Sequence, residues 1–162
     1  MVRIYLSLGS NLGDKLANLK KTIYYLKKNI KVLKISKFYK TEPVGYKNQD
    51  WFLNCTVEAE TDINPLDLLK LLKSIEKKLK RVKTWKYGPR TIDIDIIFYG
   101  DKVTKTRKLV IPHPRMHRRL FVLEPLSNIK PNLVHPTIKN TIIELKNNVK
   151  NKVHVHRWRS DL

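Results

Sequence analysis

Residues 88–98 read Gly88-Pro89-Arg90-Thr91-Ile92-Asp93-Ile94-Asp95-Ile96-Ile97-Phe98. Residues two apart in a strand share a face, so this alternation predicts a strand with both aspartates on one side. Two like charges ~5 Å apart repel by roughly 3 kcal/mol at an effective dielectric of ~20, so a cation is expected beside them. Arg90 is one candidate, and a divalent ion is the other, because carboxylate oxygens suit Mg²⁺. The pattern alone also allows a solvated Asp-x-Asp that pairs with nearby lysines. The opposite side of the strand takes Ile92, Ile94, Ile96 and Phe98.

Two other segments alternate in the same way, over residues 2–8 and 53–59. Each predicts a strand with one apolar and one mixed face. If these strands pair with the Asp93 strand in one antiparallel sheet, helices cover the apolar face, and the other face presents Asn54 and the aspartates to a cleft. The predicted apolar sides are Val2, Ile4, Leu6 and Leu8, then Leu53, Cys55, Val57 and Ala59; the other face carries Tyr5, Ser7, Phe52, Asn54 and Thr56.

Helices and loops separate the predicted strands. Asp14 is the expected N-cap of a first helix, and Asn64, followed by Pro65, of a second. Residues 9–13 resemble a turn, residues 31–41 an edge strand, and residues 41–50 a long polar loop. The apolar stripes of the helices are Leu16, Leu19, Ile23, Leu26 and Ile30, and Leu68, Leu69, Leu72, Ile75 and Leu79.

Length and composition favour a single folded domain over residues 1–162, since 41% of the chain is hydrophobic. No apolar run reaches the ~20 residues of a membrane helix, and the N-terminus lacks a signal-peptide pattern, so we expect a cytoplasmic protein. The single cysteine, Cys55, excludes an internal disulfide and cannot alone build a zinc site.

The formal charge of +20 comes from 34 Lys and Arg against 14 Asp and Glu. These cations are spread along the whole chain, which favours a solvated surface over a nucleic-acid face. A polyanionic substrate such as a nucleotide would gain from the same field. Aromatic and basic residues also alternate around the Gly-Pro turn, which suits a planar heterocycle and a polyphosphate: Trp51, Phe52, Trp85 and Tyr87, with Arg81, Lys83, Lys86 and Arg90.

Four motifs in order resemble the 6-hydroxymethyl-7,8-dihydropterin pyrophosphokinase family of the folate pathway. The resemblance covers about residues 1–145, and residues 146–162 form a basic C-terminal tail outside it. It implies an α+β ferredoxin-like fold, a central antiparallel sheet flanked by helices in α-β-α layers. The motifs are Leu8-Gly9-Ser10-Asn11-Leu12-Gly13, Phe52-Leu53-Asn54, Gly88-Pro89-Arg90-Thr91-Ile92-Asp93-Ile94-Asp95 and Pro112-His113-Pro114-Arg115-Met116.

The reaction implied by the resemblance moves the pyrophosphoryl group of ATP to the hydroxymethyl group of the pterin and releases AMP. It assigns two Mg²⁺ ions to Asp93 and Asp95, and phosphate contacts to Arg81 and Arg90; these four residues are the expected catalytic set. The expected partners are the two small molecules, without nucleic acid or membrane, and the expected state is a monomer.

The resemblance also assigns the two substrates to separate sets of residues. Phe52 and Phe121 match an aromatic pair that sandwiches the pterin, and Asn54 matches an amide on its edge. The expected pterin set is Thr41, Val44, Phe52, Asn54, Tyr87 and Phe121. The expected ATP set is Lys73, Glu76, Arg81, Lys83, Tyr87, Arg90, Ile96, Lys108, Val110, His113 and Arg119, with Lys73 and Glu76 on the exposed face of the second helix and with Ile96 and Val110 contacting the nucleotide through their backbones.

Several positions depart from the family pattern. Tyr87 stands where the family usually has Trp, and Lys83 and Lys108 stand where arginines are common. Lysine lacks the forked guanidinium contact, so closure over the triphosphate is expected to differ here. In the tail, His154 and His156 have metal-ligand spacing, but a solvated strand or frayed end is favoured.

Two rival functions use the same features. One is an RNA-binding ferredoxin-like module, although the aromatic stacking motif on a strand is absent. The other is a different Asp-x-Asp metal-dependent nucleotidyltransferase, which would not need the pocket formed by Phe52, Asn54 and Phe121.

Overall fold

The structure is a computed structural model that describes residues 1–80, 88–150 and 152–159. Within these ranges the chain alternates strands and helices through its first two thirds and then becomes mainly helical. The elements are β1 (Val2–Ser10), α1 (Lys15–Lys27), β2 (Lys31–Ile35), β3 (Tyr39–Thr41), β4 (Phe52–Thr61), α2 (Pro65–Lys78), β5 (Asp93–Tyr99), β6 (Thr104–Lys105), β7 (Val110–Ile111), a 3₁₀ helix (Met116–Arg118), α3 (Leu120–Ile129), α4 (Ile142–Asn147) and β8 (Val155–Arg157).

The described strands form a six-stranded sheet in the order β5-β1-β4-β3-β8, with β2 also paired to β4. Every pairing in it is antiparallel. Helices α1 and α2 pack on one face of this sheet, while α3 and α4 contribute to a second apolar cluster with Tyr5 and Phe98. The α+β ferredoxin-like prediction, a central antiparallel sheet flanked by helices, is therefore confirmed.

Strand alternation predicted the first core cluster correctly. Within β1, Ile4, Leu6 and Leu8 are completely buried. Since β4 lies beside β1 in register, its apolar residues continue the same surface toward the helices. The buried partners from β4 are Leu53, Cys55, Val57 and Ala59.

Both predicted helix caps are present. Asp14 Oδ1 accepts a hydrogen bond from the Ala17 backbone N–H at 3.1 Å, and Asn64 Oδ1 accepts one from Asp67 at 2.9 Å. Each bond satisfies a backbone donor that the first turn of a helix leaves free. None of the helices in the described ranges is both long and apolar enough to span a bilayer.

Phe98 was predicted on the wrong face of β5. The pairing of β1 with β5 shifts register between Tyr5 and Leu6, so Leu6 faces Ile96 while Tyr5 faces Phe98. Ile97 is the extra residue of this irregularity, and an extra residue reverses the alternation beyond it. Phe98 consequently meets the Tyr5 ring edge to face, with centroids 6.2 Å apart.

The predicted edge strand over residues 31–41 is two strands with different neighbours. Strand β2 pairs with the second half of β4, and β3 pairs with its start, opposite Phe52 and Asn54. Strand β3 is not an edge, because β8 pairs with its other side. The tail residues, for which a solvated strand or a frayed end was favoured, thus form an outer strand of the main sheet.

Candidate active site

Two cross-strand rows on the polar face of the sheet build the floor of a cleft. In the first row, Gly9 of β1 lies between Asp93 of β5 and Asn54 of β4. In the second, Ser7 lies between Asp95 and Thr56. Three separate segments therefore place the aspartates and Asn54 on one surface, as the alternation predicted.

Gly9 fits this position because a side chain there would collide with its neighbours. A Cβ added at Gly9 would overlap Oδ1 of Asn54 and would lie 3.5 Å from the Phe52 ring. The missing side chain leaves the main chain open at the centre of the row. Gly9 was predicted to lie in a turn, although its two-residue spacing from Ser7 already indicated the polar face of β1.

Asn54 is held in one orientation by Thr41. Its Nδ2 donates a hydrogen bond to Thr41 Oγ1 at 2.5 Å, and both residues are almost fully buried. A buried amide without a partner is costly, so this bond fixes which side of the carboxamide faces the cleft. Phe52, Val44 and Phe121 line the same cleft.

The cleft has a volume of about 290 Å³. It joins the residues predicted for the pterin with those predicted for the metal and the phosphates. The predicted residues that line it are Thr41, Val44, Phe52, Asn54, Arg90, Asp93, Asp95, His113, Arg119 and Phe121.

The two aspartates differ in their environment. Asp93 Oδ2 lies 3.1 Å from a guanidinium nitrogen of Arg90, so one of the two cations considered from the sequence, Arg90, reaches the pair. Burial, together with the neighbouring Asp93 charge, raises the pKa of Asp95 to about 7. The carboxylate pair is thus under the electrostatic stress expected from its sequence, and a further cation would relieve it.

His113 and Arg119 approach the cleft from the segment between β7 and α3. Nδ1 of His113 accepts a hydrogen bond from the Arg115 backbone N–H at 3.2 Å. Burial, with the nearby Arg119 charge, lowers the pKa of His113 to about 4, so the ring is neutral at physiological pH. With Nδ1 accepting, the ring proton lies on Nε2, which is then a hydrogen-bond donor. The Arg119 guanidinium lies 5.4 Å from the centroid of the Phe121 ring.

The predicted exposed position of Glu76 is wrong. Glu76 is only 6% exposed, and its Oε2 accepts a hydrogen bond from the Ile94 backbone N–H at 2.9 Å. Ile94 lies between the two aspartates on β5. Among the described strands β5 is an edge strand, with β1 as its one neighbour. The carboxylate therefore satisfies a backbone donor on the outer side of β5.

Other predicted residues are not part of this cleft or cannot be placed. Lys73 is exposed on α2, Lys108 is exposed before β7, and the Ile96 side chain belongs to the helix-covered core. With Glu76 and Val110, they do not line the cleft. Arg81, Lys83 and Tyr87 lie outside the described residues.

The cleft also contains residues absent from the predicted set. Glu42 and Arg115 line it together with Ser7 and Gly88. Arg115 is part of the predicted motif of residues 112–116, and Glu42 is part of the predicted long loop of residues 41–50, so their positions in those segments were the available signal.

Comparisons with known proteins identify the family of the chain. The model of the 7,8-dihydro-6-hydroxymethylpterin-pyrophosphokinase (HPPK) family matches residues 5–131. The chain is 40% identical over 146 residues to the 2-amino-4-hydroxy-6-hydroxymethyldihydropteridine pyrophosphokinase of Aquifex aeolicus, covering 90% of this chain and 91% of that protein. It is 44% identical over 127 residues to the protein of the same name from Bacillus subtilis, covering 77% of this chain and 76% of that one.

Longer proteins match as well. The chain is 46% identical over 153 residues to the folic acid synthesis protein FOL1 of Dictyostelium discoideum, covering 94% of this chain and 23% of that protein. A crystal structure of wild-type Plasmodium falciparum HPPK-DHPS shares the fold, with a TM-score of 0.70 at 20% identity over 90% of this chain and 44% of that one. The family match and the Aquifex relative together show that the chain belongs to the 7,8-dihydro-6-hydroxymethylpterin-pyrophosphokinase family.

Proposed function

We propose that this protein transfers the pyrophosphoryl group of ATP to the hydroxymethyl oxygen of 6-hydroxymethyl-7,8-dihydropterin and releases AMP. The observation that carries the proposal is the row Asp93-Gly9-Asn54, which puts a carboxylate and a fixed amide on either side of bare backbone. A metal-dependent phosphate site and a heterocycle site are thereby adjacent in one cleft. Membership of the pyrophosphokinase family supports the same reaction.

The pterin occupies the end of the cleft lined by Phe52, Asn54 and Phe121. A flat ring between two aromatic side chains gains from stacking and from burial of its faces. Asn54 offers an acceptor and a donor to the ring edge, and its bond to Thr41 removes the cost of orienting it. Val44 borders the same end of the cleft.

Magnesium fits the donor set on β5. No group of three or more His, Cys, Asp or Glu side chains forms a metal site within the described ranges, so Asp93 and Asp95 offer a two-residue site. Mg²⁺ is commonly held by one or two carboxylates with phosphate oxygens and water completing its shell. We assign two Mg²⁺ ions to this pair, which would neutralise the triphosphate and polarise the phosphorus under attack.

The chain's cations and the neutral histidine hold the phosphates. Arg90 and Arg119 each present a guanidinium that matches two phosphate oxygens at once. The Nε2–H of His113 donates to an oxygen without adding a charge. We extend the ATP set to the other predicted residues: Lys73, Glu76, Ile96, Lys108 and Val110, which do not line the cleft, and Arg81, Lys83 and Tyr87, which lie outside the described residues.

The reaction forms one bond and breaks one. The hydroxymethyl oxygen attacks the β-phosphorus and loses its proton to water, the bond from that phosphorus to the oxygen bridging to the α-phosphate breaks, and AMP leaves with that oxygen. The protein's part is to align the hydroxyl with the β-phosphorus and to stabilise charge, without a covalent intermediate. Buried Cys55, whose pKa burial raises to about 12, takes no part. We further propose that the chain is a single domain that acts as a cytoplasmic monomer.

The products of one incubation test this function. Protein, ATP, Mg²⁺ and the hydroxymethyl pterin are mixed, and nucleotides are separated by chromatography. The expected product is AMP, formed in step with pterin diphosphate and dependent on the pterin. Release of ADP would indicate an ordinary kinase, and release of inorganic pyrophosphate would indicate a nucleotidyltransferase; either would contradict the proposal. Asp95→Asn is the matched control and should yield no AMP.

A further inference from the structure

Strand β8 lies beyond the segment matched by the family model, and it contacts the pterin side of the site. It pairs with β3 in a defined register: Val155 opposite Thr41, His156 opposite Lys40 and Arg157 opposite Tyr39. Thr41 is the residue that holds Asn54 in place. Strand β8 therefore pairs with Thr41, the residue that orients the Asn54 carboxamide toward the pterin.

The pairing continues past β3 into the loop of residues 42–50. The Glu42 backbone N–H donates to the His154 carbonyl oxygen at 2.9 Å. The His154 backbone N–H donates in return to Glu42 Oε2 at 3.2 Å. Glu42 Oε1 also accepts from Lys47 Nζ at 3.1 Å, so one carboxylate connects β8 with the middle of the loop.

Side chains at the far end of the loop meet the same strand. The Trp51 ring is parallel to both histidine rings, within 17° of His154 and 5° of His156, with centroids 6.3 and 6.0 Å apart respectively. Val153 and Val44 line one side cavity of about 330 Å³ beside the main cleft. Contacts from β8 and its flanks thus reach the loop at Glu42 and at Trp51, directly after its end, and Val153 shares a side cavity with Val44.

We infer that residues 152–158, the C-terminal strap, position the loop of residues 42–50 for pterin binding. The strap is a positioning element, since none of its residues lines the main cleft among those described. It acts through Thr41, Glu42 and Val44, which do line it. This inference rests on the proposed function for the identity of the ligand.

A matched pair of variants at His154 isolates the backbone contribution. His154→Pro removes the N–H that donates to Glu42 Oε2, whereas His154→Ala keeps that N–H and removes only the ring. One measurement is the Kd of the pterin in the presence of Mg²⁺ and a non-hydrolysable ATP analogue. Another is the Kd of that analogue alone. The third, which needs no ligand, is amide hydrogen exchange over residues 42–50 and 88–98.

If the strap positions the loop, its disruption should weaken pterin binding selectively. In His154→Pro the pterin Kd should rise about tenfold, because Glu42 loses the donor that joins it to the strap, while the analogue Kd changes less than about twofold. Exchange should accelerate over residues 42–50 and stay constant over 88–98. His154→Ala, which loses only the ring beside Trp51, should shift the pterin Kd and the exchange over residues 42–50 in the same direction by clearly less than His154→Pro. Val155→Gly, which keeps every backbone donor, should give a smaller change in the same direction.

Other outcomes overturn the inference. An unchanged pterin Kd in His154→Pro would do so, as would equal effects of proline and alanine, or faster exchange over both segments. If His154→Pro does not fold, Val155→Gly decides between the same outcomes. Failure of the unmodified protein to bind the pterin would remove the proposed function instead, and the exchange data would still test whether the strap holds the loop.

Discussion

The backbone N–H of Arg90 donates a hydrogen bond to Oδ1 of Asn11 over 2.7 Å, and the backbone N–H of Asn11 donates to the carbonyl oxygen of Arg90 over 3.1 Å. Nδ2 of the same asparagine donates to Gln49 Oε1 and to the Asp50 carbonyl oxygen, at 2.7 and 3.0 Å. One buried carboxamide therefore joins the segment that carries the phosphate-side arginine to the loop on the pterin side.

Replacing Asn11 should affect both loops at once. Asn11→Ala leaves the Arg90 N–H and the Asp50 carbonyl without this partner, and we expect a loss of about 1–3 kcal/mol in the free energy of unfolding. The Kd values of the nucleotide and of the pterin should both rise. Urea denaturation and ligand titration measure these changes. Asn48→Ala, at an exposed position in the same loop, is the control, and equal effects of the two variants would contradict a special role for Asn11.

Gly9→Ala should act on pterin binding through Asn54. The new Cβ overlaps Asn54 Oδ1, so the carboxamide must rotate away from its bond to Thr41. We expect the pterin Kd to rise at least about tenfold, which corresponds to ~1.4 kcal/mol. Asn54→Ala alone should have a similar effect, and the double variant should be little worse than either, because both changes remove one interaction. Strictly additive losses would show that Gly9 acts through something other than Asn54.

Asp95→Asn should stabilise the metal-free protein while it abolishes turnover. The folded pKa of Asp95, about 7, lies above its ordinary value of 3.8, so the folded state binds more protons than the unfolded state between these values. Stability contributed by this group is therefore present at low pH and is lost as the pH rises through that window. The gain in Tm from Asp95→Asn should be larger at pH 8 than at pH 5. Mg²⁺ should raise the Tm of the unmodified protein only. Asp101→Asn, on the exposed turn after β5, should show neither effect.

A second pH dependence comes from Glu58, on the same face of the sheet as Asn54 but farther along β4. Burial alone would raise the pKa of Glu58, but the 2.5 Å hydrogen bond from Tyr5 and the charges of Lys130 and Arg3 hold it below its usual value of 4.5. The stabilisation is complete above that value and is lost as the pH falls through the folded pKa. Glu58→Gln should cost about 1–3 kcal/mol at pH 7, and less as the solution is acidified. Glu60→Gln, which breaks a more exposed bond to Arg3, should cost less at pH 7; an equal cost would refute the burial argument.

Local sequence patterns were sufficient to predict which residues form the floor of the site. Strands β1, β4 and β5 alternate strictly where they cross it, so the parity of each fixes which face holds Ser7, Asn54 or Asp95. Because the three strands are neighbours in one sheet, three independent parities converge on one surface. The helix caps at Asp14 and Asn64 were predictable for the same reason, since the donor and acceptor lie three residues apart in the chain.

Features that depend on distant contacts could not be predicted in this way. Ile96, Ile97 and Phe98 are all apolar, so the extra residue Ile97 leaves no mark on the sequence pattern of the strand. Glu76 is adjacent to a buried stripe, and only the Ile94 N–H on the outer side of β5 explains why a carboxylate is buried there. The pairing of β8 with β3 joins residues more than a hundred positions apart, and its short polar sequence carries no signal for that partner.

The bare main chain at Gly9 has a consequence for inhibitors of this protein. A compound that rests on the floor of the cleft touches backbone atoms there, and backbone atoms are common to every amino acid. Resistance by point mutation at the floor would have to add a side chain, which the Asn54 carboxamide does not tolerate without loss of the enzyme's own substrate. Escape mutations are therefore expected in the walls of the cleft, where a change of side chain is less damaging.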